Sequence, residues 1–125
     1  KYYRCRRVGF LGHVESPDVC VHVADFYLRL IGTNYVVVAG IVNDKLIIIF
    51  RGDGDRQDCG VIAQSACGLI GQGGGHRSAA RIEISLDILK TELKGDLSQQ
   101  SIDHFLHECL KKSNKTKEDP PATKT

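Results

Sequence analysis

The 125-residue chain contains no methionine, so it reads as a piece cut from a longer protein and not as a primary translation product. Its five cysteines, at positions 5, 20, 59, 67 and 109, include no Cys-x-x-Cys pair. An odd, scattered set argues against a disulfide framework and against a zinc site, and for reduced thiols in a cytoplasmic protein. Strong charge is also missing. Seventeen Lys and Arg against 15 Asp and Glu leave +2, too little for a protein that coats duplex nucleic acid by releasing counterions. A small phosphorylated ligand held at one place suits that balance better. No apolar run is long enough to span a bilayer, so no membrane partner is expected, and no signal-peptide hydrophobic region follows the basic start at 1–7. Internal repeats are absent.

What the chain has in quantity is glycine, concentrated in Gly71 to Arg81, which reads Gly-Gln-Gly-Gly-Gly-His-Arg-Ser-Ala-Ala-Arg. Glycine enters backbone conformations closed to other residues and carries no side chain to hold off a bulky anion. The expected product is a bare bend of N–H groups from Gly73, Gly74 and Gly75, with His76 and Arg77 as side-chain donors at its rim. Such a concavity beside cationic donors is a phosphate or carboxylate site. A plain flexible connection is the competing reading. Spacing excludes two familiar phosphate loops: a P-loop would need a lysine after its second glycine, and the dinucleotide fingerprint needs a strand before its first.

Along the chain, 1–7 reads as a linker or the foot of a strand, and Val8 to Val14 as a short strand. Ser16-Pro17-Asp18 is a helix start, with a hydroxyl cap, a proline and a carboxylate near the positive dipole end. Val19, Val23, Phe26 or Tyr27, and Leu30 recur at helical spacing until Gly32, and Asp25 is placed to pair with Arg29. Tyr35 to Ile41 and Lys45 to Phe50 form a hairpin across Asn43-Asp44, the second run apolar enough for a central strand covered on both faces. Arg51 stands at the end of that strand. It is the leading phosphate anchor, and reads also as a surface arginine paired with Asp53 or Asp55.

Asp58 caps a short helix over Cys59 to Ile70 that leads into the glycines. Ile82 and Ile84 alternate with Glu83 and Ser85, the mark of a half-buried strand. Leu86 to Leu93 is a short helix or turn, and Ser98 to Lys112 an amphipathic helix. Its His104 and His107 lack enough companions for a metal site. The stretch 113–125, with nothing to bury, is expected to be a disordered tail. The whole predicts one α/β domain over 8–112, a mixed sheet of four or five strands flanked by helices.

Gly-Gly-Gly-His-x-x-Ala-Ala resembles the signature of the DHH-associated C-terminal domain of DHH-family phosphoesterases. Pro17-Asp18-Val19 with Val23-Ala24-Asp25-Phe26 and Leu28-Arg29, and Val38-Ala39-Gly40-Ile41 with Lys45-Leu46 and Phe50-Arg51, resemble further parts of it. The resemblance covers roughly Val8 to Leu86, with Arg81 where the family motif has a glycine. It implies the substrate-binding half of a hydrolase acting on short RNA or a small nucleotide such as phosphoadenosine phosphate. A catalytic DHH domain elsewhere in the parent chain would supply manganese or magnesium, and this piece alone would be inactive, with no cofactor of its own. Arg51, Gly73, Gly74, Gly75, His76 and Arg77 would clamp the phosphate. The alternative is a non-catalytic nucleic-acid-binding module, as in the C-terminal domain of alanyl-tRNA synthetases. A third is a piece that covers a partner domain or forms a homodimer.

Overall fold

The structure, a computed structural model, describes residues 8–31, 35–52, 59–67, 72–76 and 78–123. The elements in chain order are β1 (Val8–His13), α1 (Pro17–Ile31), β2 (Tyr35–Val42), β3 (Lys45–Gly52), α2 (Cys59–Cys67), β4 (Gln72–His76), β5 (Ala79–Ser85), α3 (Leu86–Glu92) and α4 (Gln99–Thr123). The strands form one sheet in the order β1-β2-β3-β5-β4, in which β1 runs parallel to β2 and every other pairing is antiparallel. The expected mixed α/β domain is therefore present, with β3 at its centre.

The apolar run of β3 explains that position. Leu46, Ile48 and Phe50 point into a core shared with α2 and α4, while Ile47 and Ile49 point into a second core under α1. Alternate residues of a strand face opposite sides, so only a strand covered twice tolerates such a sequence. Asn43 takes the left-handed turn conformation at φ 56° that the Asn-Asp reading requires. At the start of α1 the Ser16 hydroxyl accepts from the Asp18 N–H at 3.2 Å, and Ser85 does the same for Asp87 at 3.1 Å before α3.

Helix α1 packs on β2 and β3 at very close range. Cys20 and Ala24 are fully buried at the contact, and a Cβ built on Gly40 would lie 2.9 Å from Cys20 Sγ and 3.0 Å from Val14 Cγ2. The reason for glycine at this point is steric: a side chain there would keep the helix from sitting so low. Cys20, Cys59 and Cys109 are all buried, as expected of small apolar thiols.

Two expectations are corrected. The glycine run is not a bend: residues 72–76 form the edge strand β4, paired with β5 from Gln72 opposite Glu83 to His76 opposite Ala79. Pairing to a neighbour satisfies the backbone better than an isolated concavity would. The second concerns the tail, because α4 continues to Thr123 through positions expected to be disordered. A helix nucleated on a packed segment propagates more readily than a new one starts, which carries α4 beyond the residues that anchor it, Ile102, Leu106, Cys109 and Leu110. The basic start at 1–7, Gly32 as a helix stop, and the Asp58 cap lie outside the described residues.

Candidate functional site

Among the described residues, the sheet has one closed face and one face that is only half covered. On the closed side Ala80, Ile82 and Ile84 of β5 are buried beneath α2, α3 and α4. On the other side α1 lies over β2 and β3, and β5 presents Ala79, Arg81, Glu83 and Ser85. Arg81 has 46% of its side chain exposed and Glu83 31%. This uncovered strip begins beside α1 and ends at β4.

Register brings the predicted residues to one end of that strip. Val36 is opposite Arg51, Arg51 opposite Ala79, and Ala79 opposite His76. A single row therefore crosses four strands, with the smallest side chain between the arginine and the histidine position. Gly75 and Gly74 follow opposite Ala80 and Arg81. Because β4 is an edge strand, only about half of its N–H groups turn toward β5, and the others line the open edge. The glycines thus offer a row of donors and not a convergent cradle. Arg77, Asp53 and Asp55 lie outside the described residues.

Arg51 is engaged from an unexpected direction. Its Nε donates to Asp25 Oδ1 on α1 at 3.1 Å, and its Nη1 to the Phe50 carbonyl at 3.3 Å. Asp25, read from sequence as a partner for Arg29, instead ties the helix to the end of β3. The Arg51 side chain as a whole remains 23% exposed.

Three residues of the strip escaped the sequence reading. Arg81 Nε donates to Glu83 Oε2 at 2.9 Å and its Nη2 contacts the same oxygen at 2.6 Å. Lys45 Nζ reaches Glu83 Oε1 at 3.4 Å. The Arg81 hydrogen bond, with lesser contributions from the Arg81 and Lys45 charges, holds the Glu83 carboxyl below the usual glutamate range. Burial pushes the Cys20 thiol up, and the Arg81 charge draws it partly back. The signal that could have found Arg81 was the alternation around Ile82 and Ile84, which puts residues 81 and 83 together on the opposite face.

His104 and His107 sit on α4 near Glu108 at 3.9 Å and Asp103 at 3.7 Å, one turn away along the helix. Among the described residues no group of three His, Cys, Asp or Glu side chains could hold a metal ion. No described helix is long and apolar enough to cross a membrane.

This architecture is similar to that of the C-Ala domain from Aquifex aeolicus alanyl-tRNA synthetase, with a TM-score of 0.54, over 82% of this chain and 89% of that one, at 16% identity. At such identity the likeness is one of fold. In sequence the chain is 35% identical over 83 residues to the uncharacterized protein MJ1633 of Methanocaldococcus jannaschii, covering 66% of this chain but 16% of that protein. No protein-family model matches the chain.

These findings overturn the DHH-family resemblance, and with it the reading as half of a hydrolase of short RNA or small nucleotides. Several of the residues that carried it serve the fold itself. Ala24 and Ala80 are buried in the two cores, Gly40 admits Cys20, and Gly73 to Gly75 pair along β5. Small residues at those positions are what a low helix and a glycine edge strand require.

Proposed function

We propose that the chain is a non-catalytic nucleic-acid-binding module, with RNA its ligand, and that the half-covered face is where the ligand lies. Lys45, Arg51 and Arg81 meet phosphates along the strip. The outward N–H groups of Gly73 to Gly75 donate at its edge. The observation that carries this reading is the row from Arg51 through Ala79 to His76, which starts where Asp25 of α1 meets Arg51 and runs onto β5 beside the exposed Arg81. A fold like that of a tRNA synthetase's C-Ala domain supports it.

The small net charge sets the scale of the interaction. Three phosphate contacts to a single strand give a slope of about −2 for log K against log salt, so binding is weak at physiological ionic strength and clear at low salt. Fluorescence anisotropy with a labelled RNA hairpin bearing a single-stranded end measures this directly. Arg81→Ala and Arg51→Ala are each expected to weaken binding and to lower the slope by roughly 0.7. Wild-type affinity in both variants, or no binding at low salt, would overturn the assignment.

A further inference from the structure

Every described cation on the open strip is already held by a carboxylate of the same chain. Asp25 takes Arg51, and Glu83 takes both Arg81 and Lys45, one through each of its oxygens. We propose that Asp25 and Glu83 occupy the cations as internal substitutes for phosphate, and that they set which nucleic acids this face accepts. The inference rests on the nucleic-acid reading above.

The geometry of Glu83 carries it furthest. Two oxygens about a single carbon, one facing a guanidinium edge and one an ammonium, reproduce the pattern that a phosphodiester presents with its two free oxygens. The cluster is not sealed: Lys45, Arg81 and Glu83 are 53%, 46% and 31% exposed. Exposed pairs of this kind contribute little to stability, so an incoming oxyanion can replace the carboxylate at small cost. Asp25 is similarly accessible at 45%. It reaches Arg51 from α1 and not from the sheet, so it can withdraw without disturbing the strand ladder.

The consequence is selectivity by exchange. A single small anion that enters displaces one carboxylate from its cations and then faces that carboxylate, so it binds no better than the carboxylate did. A chain of phosphates reaching Arg51 and the Arg81–Lys45 pair together replaces both carboxylates in one event and releases its own counterions. The strip therefore discriminates against free phosphate and short mononucleotides, and in favour of polynucleotides.

The test compares Glu83→Gln and Asp25→Asn with the wild-type chain, using labelled RNA for affinity and inorganic phosphate as competitor. Glu83→Gln frees two cations and is expected to tighten RNA binding roughly tenfold at low salt, with a steeper salt slope, while Asp25→Asn gives roughly threefold. Inorganic phosphate should become a better competitor in the Gln variant. A thermal melt confirms that each variant is folded, and a purely structural role would leave the salt slope unchanged. Unchanged or weaker RNA binding by folded Glu83→Gln, in a protein where Arg81→Ala weakens it, overturns the exchange idea alone. Indifference of binding to Arg51→Ala and Arg81→Ala overturns the nucleic-acid reading along with it.

Discussion

Strand β5 has two sides with opposite duties. Toward α2 and α3 it buries Ala80, Ile82 and Ile84 at 4%, 1% and 0% exposure. Toward the open strip it displays Arg81 and Glu83, linked to each other and to Lys45. Neighbouring residues of one strand thus belong to different physical regimes: apolar area removed from water on one side, ion pairs in water on the other. The first side governs whether the domain folds, and the second is free to serve a ligand.

The largest effect expected from this contrast is on stability. Ile82→Ala should cost about 2–5 kcal/mol by urea denaturation, whereas Arg81→Ala, one residue away, should stay within about 0.5 kcal/mol. Equal losses would mean that the ion-paired side carries the fold as well. A second variant sharpens the boundary between the covered and uncovered halves of the α1 face. Gly40→Ala places a methyl 2.9 Å from Cys20 Sγ, so it should cost about 1–3 kcal/mol by overpacking. Cys20→Ala introduced with it should recover part of that loss. Additive losses in the double variant would show that the close approach of α1 is not what excludes a side chain at position 40.

The smallest expected effect is on the acid limb of the pH-stability curve. Glu83 has its carboxyl lowered in the folded chain, first by the Arg81 hydrogen bond. The stabilisation is therefore fully present above the ordinary value of 4.5 and is lost as pH falls below it through the folded value. Glu83→Gln should flatten that part of the curve in thermal melts. Asp96, lowered by the Ser101 hydroxyl and then by the Ser98 backbone N–H, acts in the same direction from a separate place, so Asp96→Asn is the comparison. An acid limb that Glu83→Gln leaves unaltered would show that the carboxylate is no better held in the folded chain than in the unfolded one.

Much of the architecture was legible before any coordinates. The apolar run Lys45 to Phe50, the Asn-Asp turn, the Ser-Pro-Asp helix start and the alternation at Ile82 and Ile84 are all local patterns, each imposed by the period of one element. The glycine run was not legible in the same way. Absence of side chains permits a bend, a loop or a strand equally, and the choice fell to β5, which offered a ladder to pair with. The DHH resemblance misled for a related reason, since small residues that let elements approach closely recur wherever the packing demands them.

Local order along the chain was thus set by residue sequence alone: the hydrophobic period of each strand and helix, the capping residues and the centrality of β3. Tertiary structure alone decided which charges meet. Asp25 and Arg51 are 26 residues apart and Lys45 and Glu83 are 38 apart, and no local rule links them. They meet because strand register and the low seat of α1 on Gly40 bring distant segments onto one face, and such register is a property of the assembled sheet.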